Sequence, residues 1–143
     1  MNILFVCTGN SCRSVMAEYI LKKRLFDLKV SGVDVSSAGT GALDGQPASA
    51  HAAALIKELG ISAEKHRARM ITGKIAGQAE LIFALSRNHL DQIIFMFPEA
   101  KFKSLTLCKE DIADPIGAGL EAYKKVFEEI RQAIEKNVLP KVL

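Results

Sequence analysis

The sequence predicts an α/β fold: one domain, residues 1–143, with a four-stranded parallel sheet and helices on both faces. Two observations carry this. Short apolar runs of strand length alternate along the chain with longer segments whose apolar residues recur at helical spacing, the order that builds a parallel sheet covered on both sides. The first run, NILFV, is apolar almost throughout, as suits a strand buried on both faces rather than one with a wet side. A length of 143 residues suits a single core, and no repeat, low-complexity tract or linker divides it.

The elements follow in order. Asn2 to Val6 is the first strand. Ser14 to about Leu28 is a helix, with Ala17, Ile20, Leu21, Leu25 and Leu28 at helical spacing and Lys22, Lys23 and Arg24 on much of the other side. Val33 to Ser37 is the second strand, followed by the turn-rich AGTGALDGQP. Ala48 to Leu59 is a helix that Gly60 stops. Leu81 to Leu85 is the third strand, and a short helix near Asn88 to Ile94 follows it. Ser104 to Leu107 is a weaker fourth strand. Leu120 to Asn137 is the clearest helix, with Tyr123, Val126, Phe127, Ile130 and Ile134 on one face.

Bulk chemistry removes several function classes. The chain is 49% hydrophobic and 24% charged, ordinary for a soluble globular protein. Its net charge of +3 is mild and its basic residues are scattered, so no nucleic-acid partner is expected. Three cysteines make a poor disulfide framework; the odd count points to a reducing compartment, and a cytoplasmic location is expected. The opening MNILFVCTGN lacks the charged region of a secretory leader. No apolar run approaches the roughly 18 to 20 residues of a membrane span, so no membrane partner is expected. A monomer is expected.

The stretch FVCTGNSCRS, residues 5 to 14, carries the chemistry. Cys7 stands where the first strand stops, just before a helix, and sites in open α/β sheets form beyond the carboxyl ends of strands. Gly9 can take a positive φ and Asn10 tolerates one, so the loop can turn successive N–H groups inward as an anion-binding nest. The helix terminus adds partial positive charge, and Arg13 adds a planar fork matching two phosphate oxygens. These features favour a tetrahedral oxyanion, and they favour a thiolate at Cys7. Ser14 can donate a hydrogen bond to it. A lone cysteine at a strand end is more often core than catalytic. Cys-x5-Arg-Ser on a strand, loop and helix is far more specific.

Together with Asp114-Pro115, the run Cys7 to Ser14 resembles the signature of the low-molecular-weight protein tyrosine phosphatase family. VDVSSAGT (33 to 40), LGISAEKHRAR (59 to 69) and LIFALSRNHL (81 to 90) extend the resemblance over nearly the whole chain. It implies a four-stranded parallel sheet flanked by helices, and a two-step reaction with no metal and no cofactor. Cys7 would attack phosphorus in line and form a cysteinyl-phosphate. Arg13 and the loop Thr8, Gly9, Asn10, Ser11, Cys12 and Ser14 would hold the phosphoryl oxygens. Asp114 would protonate the leaving group, then act as base on water. Asn10, Ser14, Ser37 and His66 match a network that holds the loop in shape. Cys12 matches a second loop cysteine whose family role is a reversible disulfide with the nucleophile; a small residue packed under the loop is the alternative. Cys108 reads as structural, and His51, His89 and the 22 to 24 helix face as surface or packing.

The resemblance implies a phosphorylated protein as substrate, and two kinds stay open. Tyrosine-selective members carry Asp-Pro-Tyr-Tyr and an aromatic after the second strand; here stand Asp114-Pro115-Ile116-Gly117 and Leu43. Those members also favour an apolar residue where this chain has Ser11. A protein-arginine phosphatase branch has threonine there and Asp-Pro-Phe-Gly later, with a tyrosine further on, as Tyr123 is here. Ser11, Leu43 and Ile116 are therefore the expected pocket wall. A polar Ser11 can bond a guanidinium, and a carboxylate at Asp114 attracts it, which tips the reading toward phosphoarginine. An arsenate reductase on the same fold is an alternative, but the thioredoxin-coupled kind needs two further cysteines in a mobile segment. A non-hydrolytic phosphocarrier would need neither Arg13 nor Asp114. Intact Cys7, Arg13 and Asp114 argue against a catalytically silent phosphate-binding module.

Overall fold

In the computed structural model, which describes residues 1–143, the first apolar run forms strand β1 (Asn2–Cys7), and its Ile3 to Val6 are fully buried. Three further strands join it: β2 (Asp34–Gly39), β3 (Leu81–Ala84) and β4 (Ser104–Thr106). All pairings are parallel and the order is β2-β1-β3-β4. The predicted α/β fold with four parallel strands and helices on both faces is what forms.

Side-chain alternation along β1 divides the core in two. Ile3, Phe5 and Cys7 point to one face, where helices α1 (Arg13–Asp27), α2 (Ala50–Glu58) and α5 (Leu120–Ala133) pack Leu21, Ile56 and Ile130 against them. Leu4 and Val6 point to the other, where α3 (Gly73–Gln78) and α4 (Arg87–Met96) supply Ala76, Leu90 and Ile93. A central strand buried on both faces has no polar side to show, hence the run NILFV.

The chain leaves β1 toward β2 on one side and later crosses to β3 on the other. The carboxyl end of β1 is thus the point where strand order reverses, and a crevice opens there. Cys7 pairs with Gly39 in that last rung, and Val6 with Ala84. Gly39 has no room for a side chain: a Cβ would lie 2.2 Å from the Thr8 carbonyl oxygen and 2.9 Å from Ala42 Cβ.

Boundaries shift by a residue or two from the sequence expectation, but two elements were not foreseen. Helix α3 holds two glycines and buries only Ala76, so it shows little helical periodicity. A 3₁₀ turn over Pro98–Lys103 is too short to show one. The last helix runs beyond the expected Asn137. After α5 it widens through a π turn, Ile134–Val138, and continues as α6 (Leu139–Val142), where Pro140 sits in the first turn that tolerates it. No helix is long and apolar enough to cross a membrane.

Candidate active site

Between Cys7 and α1 the chain makes the tight loop expected of FVCTGNSCRS. The left-handed conformation falls on Asn10 (φ 53°), while Gly9 keeps a negative φ. Asn10 can hold that shape because its side chain is fully engaged: Oδ1 accepts from the Arg69 backbone N–H at 3.0 Å, and Nδ2 donates to Ser14 Oγ and Ser37 Oγ, each at 2.9 Å. His66 Nε2 donates to the Asn10 carbonyl at 2.8 Å. The expected supporting set of Asn10, Ser14, Ser37 and His66 is one connected, buried network.

The start of α1 has no acidic residue in its first turn and no side-chain cap, whereas Thr72 and Ser86 cap α3 and α4. Its first N–H groups are therefore free to meet an anion. Cys7 Sγ lies 3.0 Å from Ser14 Oγ at the foot of this cradle. Arg13 is buried, braced by a bond from its guanidinium to the Ile112 carbonyl at 3.0 Å, and faces Asp114 Oδ2 at 3.6 Å. Asp114 is 47% exposed at its side chain; its Oδ1 accepts from the Ile116 N–H at 3.0 Å, which turns the loop through Pro115 and Gly117. Cys7 through Arg13, Asp114 and Ile116 together line a cleft of about 140 Å³. Thr8, Gly9, Ser11 and Cys12 are all in that lining.

Leu43 is not. It is 71% exposed, on a loop after β2 that is folded back on itself by a bond from Gln46 N–H to the Leu43 carbonyl and pinned where Asp44 Oδ1 accepts from the Met70 N–H at 2.8 Å. Of the expected wall of Ser11, Leu43 and Ile116, Ser11 and Ile116 line this cleft. Cys12 is buried, and burial, with the nearby charges of Cys7 and Asp114, pushes its thiol up to about 12, so it stays protonated.

Three participants escaped the sequence reading. Glu18 is buried and accepts from Ser37 Oγ at 2.6 Å and from Lys22 Nζ at 2.5 Å, so it anchors the far end of the network. In sequence it looks like half of an ordinary i,i+4 surface pair. Arg69 adds Nε to the Ser37 carbonyl at 2.9 Å. His89, expected at the surface or in packing, is 3% exposed and bridges Thr8 Oγ1 and Ser86 Oγ, each at 2.8 Å. Burial first, and then the Arg13 charge, hold its pKa down to about 4, so the ring is neutral. The signal was Ser86 three residues before His89 at a helix start, the spacing of a cap.

A thiol beneath an uncapped helix terminus, a braced guanidinium and a facing aspartate, set at the switch point of a parallel sheet, define a class: a phosphatase that uses a cysteine as nucleophile. Residues 2–141 match the family described as low molecular weight phosphotyrosine protein phosphatase, and the chain belongs to that family. A protein-arginine-phosphatase of Geobacillus stearothermophilus is 40% identical over 94% of this chain and 91% of its own length. A solved low molecular weight protein tyrosine phosphatase from T. tengcongensis superposes with a TM-score of 0.92 at 38% identity, over 100% of this chain and 99% of that one. An arginine phosphatase with its cysteine replaced by serine, solved with that active site serine phosphorylated, superposes with a TM-score of 0.87 at 29% identity, covering 96% and 98% of the two chains.

Proposed function

We propose that the chain is a protein-arginine phosphatase. The observation that carries this is the cleft wall, where Ser11 and Ile116 stand with no aromatic side chain among the lining residues. A phenyl ring gains from flanking rings or an apolar floor. A guanidinium gains from a hydroxyl, and a swap of this kind is worth about 1 to 3 kcal/mol of preference. The Geobacillus stearothermophilus relative's name supports the reading.

In this mechanism Cys7 Sγ attacks phosphorus in line; the S–P bond forms as the P–N bond breaks. Asp114 gives its proton to the departing guanidine nitrogen. Arg13 and the loop N–H groups hold the three equatorial oxygens, where charge collects. Asp114, now a carboxylate, takes a proton from a water that attacks the phosphocysteine. The S–P bond breaks, leaving inorganic phosphate and the Cys7 thiolate. The serine-phosphorylated relative supports an intermediate on the nucleophile. No metal or cofactor enters any step. The substrate is a phosphorylated protein, the enzyme acts as a monomer, and a cytoplasmic location is in keeping with three free cysteines.

Phosphotyrosine is the second reading, favoured by the full-length match to the T. tengcongensis tyrosine phosphatase. Values of kcat/KM on peptides matched except for phosphoarginine or phosphotyrosine separate the two, with Cys7→Ser as the blank. The expected result is a preference for phosphoarginine of about 10-fold or more, with Ser11→Ile moving the ratio about 10-fold toward phosphotyrosine. A clear phosphotyrosine preference in the parent protein overturns the proposal. A ratio that Ser11→Ile leaves unchanged removes Ser11 as selector.

A further inference from the structure

We propose that the Thr8 hydroxyl is a further hydrogen-bond donor to the phosphoryl group, aimed into the cleft by a Ser86–His89 relay. This rests on the cleft holding a phosphoryl group, whichever amino acid carries it. Thr8 follows the nucleophile directly and lines the cleft with Cys7 and Arg13. Its methyl is turned toward the loop after β2, where a Cβ on Gly41 would sit 3.6 Å from Thr8 Cγ2. Its hydroxyl is thereby left on the side of α4, 2.8 Å from His89 Nε2.

The proton order follows from the other end. Ser86 caps α4, and its Oγ accepts from the His89 backbone N–H at 3.4 Å. The Ser86 hydroxyl lies 2.8 Å from His89 Nδ1, and in the proposed relay it donates its hydrogen there. With Nδ1 as acceptor, the single ring proton of a neutral imidazole is on Nε2. Nε2–H donates to Thr8 Oγ1, which fills one lone pair and leaves the Thr8 hydrogen free. Thr8 is exposed and lines the cleft, and in the proposed arrangement that hydrogen turns toward the phosphoryl oxygens. Donors preset toward an oxyanion act without reorganising during reaction. His89 is the positioning residue and Thr8 the one that touches substrate.

The test is the affinity of the reduced protein for inorganic phosphate, followed by ³¹P NMR, beside kcat/KM on a phosphopeptide and Tm. Thr8→Val, which keeps the shape and loses the hydroxyl, is expected to weaken phosphate about 10-fold, and Thr8→Ser by less than about 3-fold. His89→Leu is expected to match Thr8→Val, and the double variant to lose no more than either alone. His89→Gln, with an amide N–H near the Nε2 position, is expected to keep most of the affinity, which a merely structural role would not predict. Unchanged phosphate affinity in Thr8→Val overturns the proposal, and so does additivity of the two losses. Should His89→Leu fail to fold, the Val, Ser and Gln variants decide alone. Absence of phosphate binding by the parent protein would overturn the reading of the cleft itself, and this proposal with it.

Discussion

Ser14 shows how one hydrogen's direction is decided far from where it acts. The Arg69 N–H fixes the Asn10 amide, so Nδ2 faces Ser14 and Ser37. Glu18 takes the Ser37 hydrogen, leaving the Ser37 oxygen to accept from Asn10. Ser14 likewise accepts from Asn10, so its own hydrogen points along the 3.0 Å contact to Cys7 Sγ, where it stabilises negative charge on sulfur. In the proposed mechanism the proton that the reaction consumes comes from Asp114, which Arg13 faces and Ile116 orients. Asp114→Asn keeps the shape of that turn and has no proton to give. It is expected to lower kcat on a phosphopeptide by about 100-fold or more, within the range for general acid catalysis. The loss should be smaller on p-nitrophenyl phosphate, whose leaving group departs without help. Equal losses of less than about 3-fold on both substrates would remove Asp114 from proton transfer.

At the scale of elements, the site is where β2 and the phosphate loop pass within contact of each other. Gly41 N–H donates to the Thr8 carbonyl at 3.0 Å and Thr40 N–H to the Cys7 carbonyl at 2.9 Å, so the end of β2 holds the loop by its backbone. Gly39 makes this approach feasible. Gly39→Ala would drive a methyl into the Thr8 carbonyl, and either β2 or the loop must move. The expected cost is about 3 kcal/mol or more in urea unfolding, together with a fall in kcat/KM. A variant with unchanged midpoint and activity would show that this contact is not needed. Gly39 illustrates what the sequence leaves illegible: it sits in a string of turn residues, and nothing in its neighbours says that Thr8 will arrive there. Strands and long helices were legible because apolar periodicity is local. So were Cys7, Arg13 and Asp114, whose residue types and spacing suit only a narrow chemistry. The position of Leu43 and the burial of His89 were not legible for the same reason. Where a loop folds back, or which buried helix position faces the cleft, is settled by contacts between elements distant in sequence.

At the scale of the whole molecule, two apolar cores lie on opposite faces of one sheet, and the polar network sits at the sheet's carboxyl edge between them. His89 is the titratable group there whose burial the entire fold must sustain. Arg13 faces it and opposes its protonation, while Asp111 and Asp114 favour it less strongly than burial resists it. Its ordinary value of 6.5 applies to the unfolded chain, and about 4 to the native one. Above pH 6.5 neither state holds the extra proton and the stability is complete. As pH falls from 6.5 toward 4 the unfolded chain takes up a proton that the native protein refuses, so stability declines; below about 4 both are protonated and the loss levels off. The gap corresponds to about 3 kcal/mol. Other carboxylates titrate in this range too, so the quantity to measure is a difference. Urea unfolding of the parent and His89→Gln should be followed from pH 7.5 to 4. The parent's stability relative to the variant is expected to fall by about 3 kcal/mol across that window, because glutamine does not titrate. Parallel profiles would mean that His89 gains its proton without opening the site, and that the relay from Ser86 to Thr8 tolerates a charge.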